Sequence, residues 1–307
     1  MKRIFITGGN SFLGHSLLPL LDGLDFWAPP SKEVNLLNSV QLEEAICKYK
    51  PNIILHMAAN CGGILKNSKH PADFIRDNIS MGINIFECAR KFNIPKVYTL
   101  GSVCCYPLHT EIPFKEDDIW KEYPEPTNAP YGIAKRVIMV FGQTYRKQYG
   151  IGGAHLIPSN LYGIFDHFDL IDSHVIPALI NKFCNATENN LPTVECWGSG
   201  EATREFLYVQ DLAKAIIKAI TSDLDTPLPI NIGTGRDISI KDLAHLIAQL
   251  TGFEGKIVFT GEVSDGQPKR RLDVSRAKEL LEFEAKTSLL EGLSRTIDWY
   301  QTTKKEV

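Results

Sequence analysis

The apolar run Ile4-Phe5-Ile6 leads straight into Thr7-Gly8-Gly9-Asn10-Ser11-Phe12-Leu13-Gly14, after which an amphipathic stretch begins. A glycine-rich turn between a strand and a helix bends the backbone sharply. It also leaves the first amide N–H groups of the helix free at the positive end of its dipole. Taken alone, such a turn is commonly just a tight bend. Behind the first strand of an alternating pattern it is where a pyrophosphate binds. The spacing is imperfect, because Ser11 stands where a Gly-x-x-Gly-x-x-Gly loop carries glycine, but serine is small enough for close approach.

From there, short β-branched runs alternate with amphipathic stretches, the pattern of a parallel sheet covered by helices on both faces. Strands are expected at Arg3–Thr7, Asp25–Ala28, Asn52–His56, Lys96–Leu100 and Gly153–Pro158. Helices are expected at Phe12–Leu21, Val40–Lys48, Pro71–Phe92 and Pro130–Tyr149. After Asn160-Leu161-Tyr162-Gly163 the rhythm breaks into aromatic and polar loops, with a short helix from His174 to Cys184 and a loop over Asn185–Pro192. Phe206–Val209, a helix over Gln210–Ile220, and Pro229–Ile232 are expected to return to the sheet, and Ile240–Tyr300 to complete a second lobe. The fold class is α/β, a Rossmann-type doubly wound parallel sheet with a smaller mixed α/β substrate-binding lobe. The units interleave. Residues 1–163 plus about 204–235 form the dinucleotide-binding domain, and about 164–203 plus 236–307 the substrate lobe.

The 307 residues carry a net charge of −3 and are 44% hydrophobic, enough for one large α/β unit or two unequal lobes. That charge gives no footprint for nucleic acid, although a local basic patch can still hold a phosphorylated ligand. No apolar run approaches membrane-spanning length, and Met1-Lys2-Arg3 leads into the first strand with no secretory h-region, so a cytoplasmic protein without a membrane partner is expected. Seven cysteines, odd in number and without Cys-x-x-Cys, suggest reduced thiols and neither a disulfide framework nor a metal site.

The chemistry concentrates in Gly101-Ser102-Val103-Cys104-Cys105-Tyr106-Pro107 and Tyr131-Gly132-Ile133-Ala134-Lys135, which bring a hydroxyl, a thiol, a phenol and an ammonium group to one candidate site. Tyr131 and Lys135, four apart, lie on one side of a helix. The ammonium is expected to lower the phenol from its usual pKa of about 10 toward neutrality, making Tyr131 a proton donor to a carbonyl that receives a hydride. Reduction alone needs no thiol, so Cys104 hints at a second reaction. A cysteine after a strand is otherwise a small core residue, the reading kept for Cys105. Gly8, Asn10, Ser11, Phe12, Leu13 and Gly14 are the candidate phosphate contacts. The second strand ends in Ala28-Pro29-Pro30-Ser31-Lys32, with no acid for the ribose 2′-hydroxyl of NAD. Ser31 and Lys32 suit a 2′-phosphate, which favours NADP(H) over NAD(H), against the plainer reading of Lys32 as a solvated loop residue.

Thr7–Gly14, Ala58-Ala59, Gly101–Pro107, Tyr131-x-x-x-Lys135 and Asn160–Gly163 together resemble the extended short-chain dehydrogenase/reductases of the NAD-dependent epimerase/dehydratase family that act on nucleotide-diphospho-sugars. The likeness spans nearly the whole chain. It is strongest to the GDP-L-fucose-forming branch, the GDP-4-keto-6-deoxy-D-mannose 3,5-epimerase/4-reductases. The segments that carry this are Gly62-Gly63-Ile64, His70-Pro71-Ala72-Asp73-Phe74, Glu125-Pro126-Thr127-Asn128, Ser173–Leu179, Trp197–Gly200, Arg204–Leu207 and Gly266–Arg270. The resemblance implies reductase roles for Ser102, Tyr131 and Lys135, and base and acid roles in two epimerisations for Cys104 and His174. It implies cofactor contacts at Ala58 and Ala59 as well as at Tyr131 and Lys135. It also implies that Asn160, Val175, Lys182, Trp197, Arg204 and Arg270 bind a GDP-sugar, and that Pro71–Phe92 and Pro130–Tyr149 pair into a homodimer. Val103 replaces a second serine of the usual pattern, Asn10 and Ser11 depart from it in the phosphate loop, and Lys182 stands where arginine is common.

These groups suit that chemistry. A 4-keto group acidifies the protons at C3 and C5, because the carbanion is an enolate whose oxygen the Ser102, Tyr131 and Lys135 site can stabilise. Inverting a carbon takes one group to remove a proton from one face and another to supply one to the opposite face. A thiol and an imidazole, titrating near neutrality, are suited to that exchange. A 4,6-dehydratase would need a carboxylate beside Ser102, which Val103-Cys104-Cys105 does not provide. A simple 4-epimerase would not need Cys104 with His174. Two rivals stay open: an enzyme performing only C4 reduction or only C3/C5 epimerisation on a related GDP-keto-sugar such as a heptose, and a non-catalytic NADP-sensing module, which would have no use for a proton donor.

Overall fold

The structure, a computed structural model, describes residues 2–62, 67, 69, 70–169, 173–261 and 267–305. Gly63, Ile64 and Gly266 of the family segments lie outside the described residues. The strands are β1 (Arg3–Thr7), β2 (Asp25–Trp27), β3 (Ile53–His56), β4 (Lys96–Leu100), β5 (His155–Pro158), β6 (Asn160–Tyr162), β7 (Thr193–Cys196), β8 (Thr203–Tyr208), β9 (Ile230–Ile232), β10 (Asp237–Ser239), β11 (Lys256–Phe259) and β12 (Lys269–Arg270). The α-helices are α1 (Phe12–Leu17), α2 (Ser39–Tyr49), α3 (Pro71–Lys91), α4 (Ala129–Tyr149), α5 (Val175–Glu188), α6 (Val209–Thr221), α7 (Ile240–Thr251), α8 (Ser275–Leu281) and α9 (Leu289–Lys305).

Six parallel strands form the central sheet in the order β2-β1-β3-β4-β5-β9. Alternation within the strands sends their side chains to two cores. Ile4, Ile6 and Leu55 meet Leu13 and Leu17 of α1 and Leu212, Ile216 and Ile220 of α6. Phe5, Ile54 and Val97 meet Ile46 of α2, Ile85 and Phe86 of α3 and Ile138 of α4. The sheet is therefore doubly wound, as its sequence pattern predicts. Its order reverses between β1 and β3, and the crevice at their carboxyl ends is where open α/β sheets bind ligands.

A third core joins Ile176, Ile180 and Phe183 of α5 to Leu243 and Ile247 of α7 and Leu293 and Ile297 of α9. Around it lie β11 paired with β7 and a small sheet in which β8 is flanked by β10 and β12 and also pairs with β6.

Three expectations change. The first helix is α-helical only to Leu17 and continues as a 3₁₀ turn over Leu18–Leu21, because Pro19 has no N–H for an α-type bond. The helix predicted to stop at Cys184 runs on to Glu188 by burying Ala186. Phe206–Val209 does not rejoin the central sheet. Leu207 and Val209 pack in the first core while Phe206 and Tyr208 pack in the third, so β8 lies between the two, and its alternation alone could not say which sheet it joins.

Candidate active site

The turn after β1 is built for close approach. Gly8 has φ +78°, and a Cβ there would lie 2.9 Å from the Ala58 amide nitrogen. A Cβ on Gly9 would lie 2.8 Å from that of Ala28, so the end of β2 is pressed against the loop. A Cβ on Gly14 would lie 2.0 Å from the Gly9 carbonyl oxygen, so glycine alone lets α1 start here. Ser11 has its own reason to be present: it is the N-cap of α1, its hydroxyl accepting the Gly14 N–H at 3.1 Å. The amides of Phe12 and Leu13 are the first-turn donors such a helix start offers an anion. Thr7 ties the loop to the opposite strand, its hydroxyl accepting from the amides of Met57 and Ala58 at 3.2 and 3.1 Å. Lys32 is exposed, in a turn closed by Glu33 N–H on the Pro30 carbonyl. This cradle, with no acid at the end of β2, fits a dinucleotide carrying a 2′-phosphate.

At the carboxyl end of β4, Ser102 caps a 3₁₀ turn over Val103–Cys105, its hydroxyl accepting the Cys104 N–H at 3.2 Å. Gly132 sets how near Tyr131 and Lys135 come to that turn, since a Cβ at 132 would lie 2.2 Å from the Cys104 carbonyl oxygen. Arg136 holds the same junction, donating to the Cys105 carbonyl at 2.7 Å and to that of Glu122 at 3.0 Å. Before α4, the Glu125 carboxylate accepts from the Thr127 amide at 3.1 Å and the Asn128 side chain at 3.0 Å, fixing how the helix begins. Lys135 is buried and its ammonium donates to the Leu100 carbonyl at 3.0 Å, 5.5 Å from the Tyr131 ring centre. Phe74 of α3 packs edge-on against Tyr131 at 6.4 Å between ring centres.

The electrostatics correct one expectation. Burial raises the Tyr131 phenol well above its ordinary value, and the thiols of Cys61, Cys104 and Cys105 add to the shift. Lys135 does not lower it toward neutrality: its charge is turned to the Leu100 carbonyl, and burial pulls its own pKa down to about 8. Cys105 is buried and pushed up to about 12 by desolvation, as suits a packing residue. Cys104 is half-buried.

The remaining candidate side chains lie on α5, on β6, β8 and β12, and in the segment between β7 and β8. His174 is the N-cap residue of α5, its carbonyl accepting from the Ala178 amide while its side chain makes no cap hydrogen bond; the residue is exposed, yet the protein around it lowers its pKa by desolvation. Val175, half-buried, is the first residue of α5. Lys182, farther along that helix, donates to the Glu195 carbonyl at 2.9 Å and sits 4.7 Å above the centre of the exposed Trp197 ring. Asn160 donates to the Glu205 carbonyl at 2.8 Å, tying β6 to β8 beside Arg204. Arg204 and Arg270 are register partners across β8 and β12. Glu205 anchors this sheet: its buried carboxylate accepts from the amides of Thr234, Gly235 and Leu272.

Gly132, Arg136, Glu205 and Gln267, whose amide contacts Arg270, are supporting residues that sequence reasoning missed. Gly132 carried a signal as a glycine inside a helix, and Glu205 and Gln267 lay in segments of the family resemblance without being singled out. Among the described residues no group of three or more His, Cys, Asp and Glu side chains is placed to hold a metal ion, and no helix is long and apolar enough to cross a membrane.

Residues 4–233 match the NAD dependent epimerase/dehydratase family. The chain is 36% identical to the GDP-L-fucose synthase of Escherichia coli (strain K12), over 97% of this chain and 96% of that protein. It is 34% identical to the GDP-L-colitose synthase of Yersinia pseudotuberculosis, over 98% and 99%. Among solved structures it resembles the GDP-mannoheptose C4 reductase from Campylobacter jejuni with NADP bound, with a TM-score of 0.88, 28% identity and 98% of each chain covered. On the strength of a match across most of its length and of relatives above 30% identity, the chain belongs to the NAD dependent epimerase/dehydratase family.

Proposed function

We propose that this protein is an NADPH-dependent 3,5-epimerase/4-reductase of a GDP-4-keto-6-deoxy-hexose, in the manner of the GDP-L-fucose synthases. The observation that carries the reading is the contact at Gly132, which seats the turn bearing Ser102 and Cys104 directly on the helix bearing Tyr131 and Lys135. On this reading the groups for reduction and the thiol for proton exchange would act on one substrate.

Gly8, the amides of Phe12 and Leu13, and Ala58 would hold the pyrophosphate side of NADP(H), with Lys32 near the 2′-phosphate. When bound, the cofactor supplies the hydride that C4 receives. The chain's own groups handle the protons. A phenol held above its ordinary pKa stays protonated at neutral pH and is available to give its proton to O4. Lys135, buried and cationic below about pH 8, stabilises negative charge developing on that oxygen. Before reduction, the same oxyanion site serves the enolate formed when C3 or C5 loses its proton. Cys104 removes that proton as base, and His174 supplies one to the opposite face. Burial lowers the pKa of His174, so its protonated form is a stronger acid but a scarcer one at neutral pH. Trp197 offers a face for the guanine, and Arg204 and Arg270 offer planar cations for the diphosphate.

The test is to mix the protein with NADPH and GDP-4-keto-6-deoxymannose, follow oxidation of the reduced nicotinamide, and analyse the sugar product. Oxidation with inversion at C3 and C5 is expected. Turnover of a GDP-keto-heptose alone would favour the partial reductase, and no turnover of either would favour a sensor.

We further infer a cytoplasmic homodimer formed through α3 and α4. These helices interlock where Gly82 meets Ile138 and Phe141, and leave Ile83 and Tyr149 exposed. Light scattering after size exclusion should give twice the chain mass.

A further inference from the structure

Gln267 enters none of the roles above, yet its amide is engaged at both ends. The side chain is buried, 4% exposed. Its Oε1 accepts the Nε–H of Arg270 at 3.0 Å. Its Nε2 donates to the carbonyl oxygens of Pro107 and Leu108 at 3.1 and 2.9 Å. The amide reads only one way, because a guanidinium has no acceptor and a carbonyl no donor.

Both ends of this bridge matter. Pro107 and Leu108 follow the turn that carries Cys104, so one amide links the base to the arginine on β12. The chemistry of the partner is also informative. Arg271 and Arg276 pair with Asp237 and Asp117. Arg270, just 7% exposed, is hydrogen-bonded instead to an uncharged amide, while the Glu125 carboxylate lies near enough to feel its charge and forms no ion pair with it among the described residues. A carboxylate in that place would neutralise the guanidinium, whereas glutamine orients it and leaves its charge for an anionic ligand.

We propose that Gln267 is a positioning residue that couples diphosphate recognition to proton transfer, aiming the Arg270 guanidinium and bracing the segment behind Cys104 with the same amide. The proposal rests on the GDP-sugar reading above. Gln267→Met keeps the volume and removes all three hydrogen bonds. Gln267→Glu keeps an acceptor for Arg270 but cancels its charge and sets carboxylate oxygens against two carbonyls.

The probes are GDP alone, for affinity, and deuterium uptake at C3 and C5 of saturating GDP-4-keto-6-deoxymannose, for proton transfer. Each variant is expected to lose about 10-fold in GDP affinity and about 10-fold in saturated exchange, the scale of a hydrogen bond to a charged group. NADPH affinity should stay near that of the unaltered protein, while the thermal midpoint falls modestly as the partners of the lost hydrogen bonds go unpaired. In an Arg270→Met background, adding Gln267→Met should cost no further GDP affinity but still slow exchange, a pattern that general loosening would not produce. Wild-type GDP affinity and exchange in either variant would overturn the proposal. So would a fall in NADPH affinity alongside the thermal midpoint in both variants, or additive losses of GDP affinity in the double variant. If the unaltered protein neither binds GDP nor exchanges deuterium, the GDP-sugar reading fails first and this proposal with it.

Discussion

Arg204 on β8 and Arg270 on β12 are direct register partners in adjacent parallel strands, so two guanidinium-bearing residues start from the same face of one small sheet. Like charges set opposite each other in a sheet are unfavourable unless something between them is negative. The Glu125 carboxylate lies near Arg270, and a diphosphate bound between the two arginines would relieve the repulsion further. Replacing either arginine with methionine should weaken GDP binding by about 10- to 100-fold, the range for a lost charge-assisted hydrogen bond. Calorimetric titration with GDP at two salt concentrations checks this: affinity should fall with salt in the unaltered protein and less steeply in the variants.

Gly132 offers a different test, because its role is distance. A methyl group at 132 would collide with the backbone of Cys104 at 2.2 Å, and backbone cannot rotate away. Gly132→Ala should destabilise the protein by about 1–3 kcal/mol, as overpacking does. Reduction and C3/C5 exchange should fall together, since the turn and the helix separate. Gly142 on the same helix is the control, where a Cβ would meet just the Phe86 ring at 3.8 Å. Gly142→Ala should hold or raise stability by up to about 1 kcal/mol through helix propensity. Urea melts of the two variants, compared with their activities, decide the matter.

Much of this was legible because it is local. The strand, the glycine turn and the start of α1 lie within a dozen residues, and Tyr131 with Lys135 within one helical turn. The pairing of Arg204 with Arg270 depends on strand register between distant segments, which no local pattern specifies, so resemblance alone pointed to both. The direction of the Tyr131 shift was misread for a related reason. A spacing of four places the ammonium near the phenol, but it does not reveal that Lys135 is turned to the Leu100 carbonyl or that burial dominates both groups. Gln267 lies inside the Gly266–Arg270 segment of the family resemblance, but that segment pointed to Arg270 alone, and the bridging role of the amide shows only in its three contacts.

His56 and His155 predict how the fold responds to acid. Each imidazole is buried, hydrogen-bonded to a threonine of the neighbouring strand, and held near a pKa of about 3, first by desolvation and then by the charge of Lys135. An unfolded chain takes up these protons as pH falls through 6.5, while the folded chain resists until about 3. Their contribution is therefore complete above pH 6.5 and is lost progressively as pH falls from there toward 3. Within that window each histidine should tilt unfolding free energy by up to about 1.4 kcal/mol per pH unit. Urea midpoints measured from pH 7 down to 4 should drop steadily, and His155→Gln should flatten the slope even if it lowers the whole curve. An unchanged slope would mean that His155 already carries its proton in the folded state.

Cys104 and His174 divide the proposed labour most sharply. The turn capped by Ser102 presents a half-buried thiol beside Tyr131, while His174 comes from the second lobe at the start of α5. Cys104→Ser keeps the size and the capped turn but replaces the thiol with a hydroxyl, a far weaker acid whose conjugate base is not available at neutral pH. Deuterium uptake at C3 and C5 should fall by at least about 100-fold, the usual worth of a positioned base. Oxidation of NADPH with an already epimerised 4-keto sugar should stay within about 10-fold, because Tyr131, Lys135 and Ser102 are untouched. His174→Gln should preserve removal of a proton better than inversion, leaving deuterium incorporated with the original stereochemistry. Equal loss of exchange and reduction in Cys104→Ser would show that the thiol shapes the pocket and does not move protons.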